Sequence, residues 1–338
     1  MIDIRTGDCF ELIKDLPDNS VDLVITSPPY ADIVNYGKNI SIKKPNEYCD
    51  WLLPLFNEIH RVIKPSGSFI LNINDNCSNG LRNPFIYELI YRSQKETNLK
   101  FYDTYIWHKK NGIPNGSPKR FRNTTEFIFH FVKNQKELKF HMERVMKEPA
   151  KATSDRAKYQ WTVKNHGTIQ DGERVKEKTI DYGSQLTNGI RPDNVFRFPT
   201  AGLARDNTIR HPAPFFYQLP EYFINLLTDE GDTILDVFGG IMTTGLGCEN
   251  RDFIGFELNE KYADFGKKRL MGEELEKYVI NQYDLEGNFI QTFNTLQEIE
   301  NYFEKPCVNN IKNILRGYKK NFTLWGFDWK LEQKVVSL

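Results

Sequence analysis

Residues 233–258 read TILDVFGGIMTTGLGCENRDFIGFEL, and their pattern decides the fold. An apolar run carries Asp236 and ends at Gly239 and Gly240; a second, DFIGFEL, carries Glu257 near its end. Between them a helix is predicted from about residue 243. Strand, glycine turn, helix and strand make a βαβ unit, which belongs in a parallel sheet with helices on its faces. Glycine lets the backbone approach a ligand closely, and a helix start offers free N–H groups. An acid about 20 residues on, at the end of the next strand, can accept both hydroxyls of a ribose. Asp236, Phe238, Gly239, Gly240 and Glu257 therefore suit a nucleotide-like ligand. The spacing is not G-x-G-x-x-G, and a generic dinucleotide fold or an unliganded turn reads similarly.

Outward from this unit, the first third alternates strand and helix signals. DCFELIKDLPDNS predicts a short helix ending in a turn, and VDLVIT a strand buried on both faces. Trp51, Leu55, Ile59 and Val62 recur at helical spacing, with a stop at Pro65 and Gly67. GSFILNIND, TYIWHKK and TEFIFHFVK follow as strands, the last two joined by the turn-rich NGIPNGSPKRFRN. A further helix is predicted over residues 220–227. The alternation argues for a mostly parallel sheet covered by helices. From about 146 to 207 the pattern fades into a polar, charge-mixed stretch, an inserted irregular subdomain. Beyond it, VINQYDLEGNFIQTF predicts a hairpin turning at Glu286, Gly287 and Asn288, followed by short helical pieces.

The 338 residues balance 45 Lys and Arg against 45 Asp and Glu, so only local clustering can point to a charged partner. Five scattered cysteines without a C-x-x-C pair, and six histidines without H-E-x-x-H, argue against a disulfide framework or a metal centre. No long apolar stretch and no signal peptide are read, so a soluble cytoplasmic protein with no membrane partner is expected.

VDLVITSPPY, residues 21–30, stops an apolar strand at two prolines. Ligands of open α/β sheets sit beyond the carboxyl ends of the strands, where this turn lies. Proline fixes φ and lacks an N–H, so the turn is stiff. The Ser27 Oγ and the Pro28 carbonyl are acceptors suited to an exocyclic –NH2, and Tyr30 to the ring that bears it. An aryl amine is a weak nucleophile because its lone pair is delocalised. Two acceptors on its N–H bonds favour a pyramidal nitrogen facing an aligned electrophile, such as a sulfonium methyl. A plain strand-terminating turn is the bland reading of the same residues.

With both halves in view, the sequence resembles the β-class amino-methyltransferases of DNA, which use S-adenosylmethionine. The resemblance rests on GDCFELIKDLPDNSVDLVITSPPY, WLLPLFNEIHRVIKPSGSFIL, IWHKKNGIPNGSPKRFRNTTEFIFHFVK, HPAPFFYQLPEYFINLLTDEGDTILDVFGGIMTTGL and RDFIGFELNEKYADFGKKRL. It implies an α/β, Rossmann-like class I methyltransferase sheet in circularly permuted motif order, because the catalytic tetrapeptide precedes the cofactor loop. It implies a catalytic half over 1–145, a target-recognition region over 146–207, a cofactor-binding half over 208–275 and a small α+β C-terminal module over 276–338. Ser27, Pro28, Pro29 and Tyr30 would hold the target base. Asp8 and the Cys9 backbone would contact the adenine, Asp236, Phe238, Gly239 and Gly240 would lie under the methionine part, and Glu257 would take the ribose. His211, Pro212 and Phe215 would close over the cofactor, and Thr243 would begin the following helix.

Two departures stand out: Val237 replaces a usual proline, and Met242 a usual glycine. A side chain at 242 is expected to crowd the methionine moiety unless the loop shifts, which leaves a catalytically inactive DNA-binding relative as an alternative. Serine before Pro-Pro-Tyr resembles the members that make N4-methylcytosine; adenine N6 is the runner-up, and an enzyme acting on RNA or protein amides a third reading. The resemblance implies double-stranded DNA as substrate, a restriction-modification setting with a cognate restriction endonuclease as a partner, and a monomer or homodimer.

A buried target amine requires base flipping. Residues 104–125 hold five cations and no acid, Lys109, Lys110, Lys119, Arg120 and Arg122, suited to phosphates. Gln185, Asn188, Arg191 and Arg197 could read base edges. The tail resembles the small DNA-binding modules of intron-encoded HNH endonucleases, a hairpin with a helix-turn-helix-like unit; its basic run includes Lys312, Arg316, Lys319 and Lys320. A solvated basic loop and a helical extension packed on the core are the bland alternatives.

Overall fold

The computed structural model describes residues 1–30, 44–75, 77–78, 80–110, 119–148, 161–163, 169–170, 173–174, 178–180, 189–199, 216–271, 278–294, 296–303, 321–324 and 327–333. The expectations for His211, Pro212, Phe215, Gln185, Asn188, Lys312, Arg316, Lys319 and Lys320 lie outside these residues.

The main sheet has eight strands: β1 (Ile2–Thr6), β2 (Val21–Thr26), β3 (Ile63–Ile73), β4 (Lys100–Lys109), β5 (Thr125–Val132), β6 (Val195–Phe198), β7 (Thr233–Asp236) and β8 (Asp252–Glu257). Their order is β1-β8-β7-β2-β3-β5-β4-β6. Every neighbouring pair is parallel except those of β5, which runs against both β3 and β4. All six residues of β2 are buried, as a central parallel strand requires.

Helix α1 (Cys9–Leu12) is capped by Asp8, whose carboxylate accepts the Phe10 N–H at 2.9 Å. Helix α2 (Pro45–Val62) buries Leu52, Leu55, Phe56, Ile59 and Val62. It ends three residues before Pro65 because the residue preceding a proline is pushed out of the helical region, and β3 starts at once. Phe56, Phe69 and Phe131 meet at 5.1–5.5 Å in the core beneath it. Helices α3 (Phe85–Glu96), α4 (Gln218–Leu227) and α5 (Glu260–Met271) complete the helices that accompany the sheet.

The helix predicted from residue 243 is a correction. Only a four-residue 3-10 turn, Thr244–Gly247, forms there. Gly245 and Gly247 disfavour a longer helix, and a side chain at 247 would meet the Glu221 backbone at 2.9 Å.

Residues 140–194 form a second compact unit. Lys147 and Ile190 exchange two backbone hydrogen bonds in it, of 2.9 and 2.8 Å, and short ladders pair Trp161–Val163 with Lys178–Ile180 and Ile169–Gln170 with Glu173–Arg174. The expected segment 146–207 thus differs at both ends: the unit starts earlier, and Val195–Phe198 pairs with β4.

The hairpin read in the tail is β9 (Tyr278–Tyr283) and β10 (Phe289–Phe293), with Gly287 at φ 89° in its turn. Helix α6 (Leu296–Phe303) follows. β11 (Asn321–Leu324) and β12 (Phe327–Gln333) complete a four-stranded sheet in the order β10-β9-β12-β11. Trp329 is fully buried between Phe293 and Phe303, at 5.9 Å from each ring. The basic run read in the tail, residues 305–320, lies outside the described residues. Among the described residues, no helix is long and apolar enough to cross a membrane.

Candidate active site

The two loops that the sequence singles out leave adjacent strands, β2 and β7, at the carboxyl edge of the sheet. Thr26 Oγ1 donates to Asp236 Oδ1 at 2.6 Å across 210 residues of chain. The Phe238 N–H reaches both Thr26 Oγ1 and Asp236 Oδ1 at 3.1 Å, and Thr244 Oγ1 donates to Asp236 Oδ2. Asp236 is thus spent on shaping the loop from below. Burial pushes its carboxyl up to about 6, against the pull of those hydrogen bonds.

Glu257 ends β8 one strand away, partly exposed. Its Oε2 accepts the Gly240 N–H at 2.8 Å and its Oε1 the Asn259 N–H at 2.8 Å. Burial raises its pKa and these bonds lower it. A carboxylate has about four acceptor positions, so hydroxyl donors can still bind. The backbone N–H of Gly7 donates to the Glu257 carbonyl at 3.0 Å, which brings Asp8 to the same edge. Cys9 is buried, and its thiol is pushed far up by that burial. Phe10, Trp51 and Phe238 form a partly buried aromatic row, with Trp51 5.7 Å from Phe10 and 5.8 Å from Phe238. An acid for ribose hydroxyls and an apolar surface for an adenine therefore share one edge, so these residues fit an adenosyl group.

Met242 corrects an expectation. Its side chain is fully buried, so it packs beneath the loop and has no exposed surface with which to crowd a ligand. Three glycines make its room: a Cβ at Gly239 would lie 2.6 Å from its sulfur, one at Gly255 2.5 Å from the sulfur, and one at Gly266 2.3 Å from its Cγ. Thr243 is also buried, and Arg269 braces the turn through the Ile241 carbonyl at 3.3 Å.

On the other loop Ser27 and Pro29 are partly exposed, whereas Pro28 and Tyr30 are buried. Tyr48 donates to the Pro29 carbonyl at 2.9 Å and fixes the loop from α2. Tyr30, read as a stacking ring, is only 9% exposed. Its hydroxyl donates to Glu126 Oε2 at 2.7 Å and receives Ser27 Oγ–H at 3.4 Å. Asn72 Nδ2 donates to Glu126 Oε2 at 2.7 Å and to Tyr30 Oη at 3.0 Å, and lies 3.5 Å from Ser27 Oγ. The Asn72 Oδ1 is buried and has no hydrogen-bond partner among the described residues, a deficit that a bound donor would remove. Lys109 forms an ion pair with Glu126 Oε1.

Sequence reading missed Asn72 and Glu126. Each is a polar residue set in a mostly apolar strand, FILNI and TEFIFHFV. That signal is ambiguous, because His130 shows it too. His130 is completely buried between Ser68 Oγ at 2.9 Å and Tyr105 Oη at 3.3 Å, and burial pushes its pKa down to about 3. It braces the sheet as a neutral ring.

Of the five cations read as DNA contacts, Lys109 is turned inward to Glu126, which corrects its assignment to a phosphate. Lys110, Lys119 and Arg122 are exposed, and Arg120 bonds the Gly80 carbonyl. Phe121, between Arg120 and Arg122, is 100% exposed, a feature that sequence reading passed over. Arg191 and Arg197 are exposed.

Comparison with known proteins follows the same division of the chain. A family model described as DNA methylase matches residues 21–268, and a NUMOD1 domain matches residues 278–315. The DNA adenine methyltransferase YhdJ of Escherichia coli strain K12 is 30% identical over 78% of this chain and 81% of its own. The type II methyltransferase M.PvuII of Proteus hauseri is 26% identical over 80% and 84%. A solved structure of the PvuII DNA methyltransferase (cytosine-N4-specific) matches 94% of each chain at TM-score 0.60 and 22% identity. A Thermus thermophilus protein, described as a DNA modification methylase complexed with S-adenosyl-L-methionine, matches at TM-score 0.52 and 21% identity over 81% and 94%. At these identities the two structural likenesses establish the fold.

Proposed function

We propose that this chain, which belongs to the DNA methylase family, methylates the exocyclic amine of a base flipped out of duplex DNA, with N4 of cytosine the favoured atom. The observation that carries this reading is the Thr26–Asp236 bond, which sets the Ser-Pro-Pro-Tyr loop beside the glycine loop. The cofactor is S-adenosylmethionine, and it supplies an electrophilic methyl on a sulfonium. Glu257 would hold the ribose, and Phe10, Trp51 and Phe238 the adenine edge, with Asp8 and the Cys9 backbone as polar contacts. Asp236, Gly239, Gly240 and Thr243 shape the loop beneath. Ser27 Oγ and the Pro28 carbonyl would grip the two amine N–H bonds.

Lys110, Lys119, Arg120 and Arg122 would neutralise phosphates next to the flipped nucleotide. Phe121 among them suits a wedge that fills the gap left in the base stack, as apolar side chains do in other DNA complexes. Arg191 and Arg197 would belong to target recognition, and the NUMOD1 region would add a second DNA contact. A type II relative supports a restriction-modification setting with a partner endonuclease. Adenine N6 is the second reading, and a 30% identical adenine methyltransferase favours it.

Expression in a host without DNA methylation, followed by single-molecule mapping of modified bases, tests the reading. N4-methylcytosine at one recurring motif is expected. N6-methyladenine there would transfer the assignment to the second reading, and an unmodified genome would overturn both. Ser27→Ala should cut turnover at least tenfold while DNA affinity stays within about twofold, because the contact matters most in the transition state.

A further inference from the structure

The reversed strand β5 brings its first residues to the carboxyl ends of its parallel neighbours: Glu126 pairs in register with Trp107, and Phe127 with Ile73. A carboxylate thereby enters the edge where the Ser-Pro-Pro-Tyr loop lies, 96 residues from Tyr30 in sequence and 2.7 Å from its hydroxyl. The hydrogen bonds run one way. Ser27 Oγ–H points to Tyr30 Oη at 3.4 Å, and Tyr30 O–H points to Glu126 Oε2 at 2.7 Å. Both donors are thus turned toward Glu126, and Ser27 Oγ, which accepts a long 3.5 Å bond from Asn72 Nδ2, has a second lone pair for an incoming N–H. Asn72 Nδ2 bonds Glu126 and Tyr30 and holds the chain in register. Lys109, from β4, supplies the countercharge on the other oxygen. A buried ion pair adds little to stability on its own account, so a stability role is a weak reason for it here.

We infer that Ser27, Tyr30 and Glu126 form a proton exit path for the methylated amine, with Glu126 as terminal acceptor. The inference rests on Ser27 holding the target amine. When the amine nitrogen gains its methyl, it becomes acidic and must lose one proton. That proton passes to Ser27 Oγ as the Ser27 hydroxyl proton moves to Tyr30 Oη and the Tyr30 proton to Glu126 Oε2. One N–H bond breaks, one O–H bond forms on Glu126, and Ser27 and Tyr30 end as they began. Release of the Glu126 proton to solvent, beside the one-fifth exposed Lys109, resets the path.

The test is single-turnover methyl transfer from S-adenosylmethionine to duplex DNA carrying the mapped motif, measured against pH for wild type, Glu126→Gln, Glu126→Asp and Tyr30→Phe. Glu126→Gln should slow transfer about a hundredfold at neutral pH. Cofactor and DNA affinities should stay within threefold of wild type. The wild-type rate should fall toward acid pH, and this limb should disappear in Glu126→Gln and in Tyr30→Phe. Glu126→Asp should recover part of the rate and restore the limb. Tyr30→Phe removes one hydroxyl and keeps the ring, so it tests the path even if Glu126→Gln folds poorly. Wild-type rates in both variants, or an acid limb that survives in both, overturn the path. If Ser27→Ala is inactive in that case, the methyltransferase reading stands without the relay. A fully active Ser27→Ala would remove the assignment of the amine site and the relay with it.

Discussion

Met242 has φ 57°, a backbone conformation that disfavours a branched or bulky side chain, yet its side chain is fully buried. The left-handed region is unfavourable by roughly 1–2 kcal/mol for such a residue. Burial of a methionine side chain offsets that, since truncating one to alanine loses about 2–5 kcal/mol. Met242→Gly should therefore lower stability by about 2 kcal/mol in urea unfolding and leave S-adenosylmethionine binding no tighter by calorimetry. Tighter binding would mean that the side chain does press on the ligand. Asp236 gives a pH signature. Its folded pKa, about 6, lies above the ordinary 3.8, so between those values the folded state holds a proton that the unfolded state has lost. Stability must then fall as pH rises from about 4 to about 6. Against Asp236→Asn, which cannot titrate, the wild type should lose on the order of 3 kcal/mol over that window. Equal slopes for the two proteins would disprove the shift. Asp236 and Glu257 were legible as acids at strand ends, where β7 and β8 do end, because acids at strand ends beside glycines are few. Residue-level reading of the sequence misjudged Met242 because the direction of a side chain depends on which neighbours leave it room.

Elements make that room. Gly255 on β8 and Gly266 on α5 lie far apart in pattern, and nothing in either segment alone calls for glycine. Both are explained by one methionine in a loop that they flank. Gly266→Ala would set a Cβ 2.3 Å from Met242 Cγ and 3.1 Å from the Ile241 backbone carbon. Overpacking of this kind destabilises by about 1–3 kcal/mol, against a helix-propensity gain of at most about 1 kcal/mol. Combined with Met242→Ala the loss should shrink, with a coupling above about 1 kcal/mol in a double-mutant cycle. Additive effects would show that the two residues do not share the space. Strand β5 likewise depends on its neighbours. Its apolar run was legible as a strand, but direction is not written in a strand's own composition. Only its pairing against β3 and β4 brings Glu126 to the site.

At the scale of the molecule, the sheet joins two stretches of chain about 210 residues apart through Thr26 and Asp236. The tail carries a sheet and helix of its own, with Trp329 at the centre. If its cations neutralise phosphates, deleting residues 277–338 should weaken DNA binding and make its salt dependence shallower, by roughly one unit of slope for each phosphate no longer neutralised. An unchanged slope in filter binding would remove the tail from the DNA interface. The sequence by itself determined the α/β class, the two loops, the acid at each cofactor-side strand end and the hairpin of the tail, because these are local patterns of period, turn chemistry and spacing. The tertiary structure alone decided that Tyr30 is buried, that Lys109 turns inward, that Met242 packs beneath its loop, and that Asn72 and Glu126 converge on the Tyr30 hydroxyl. Each of these depends on strand order and direction, and those are fixed by contacts between residues distant in the chain.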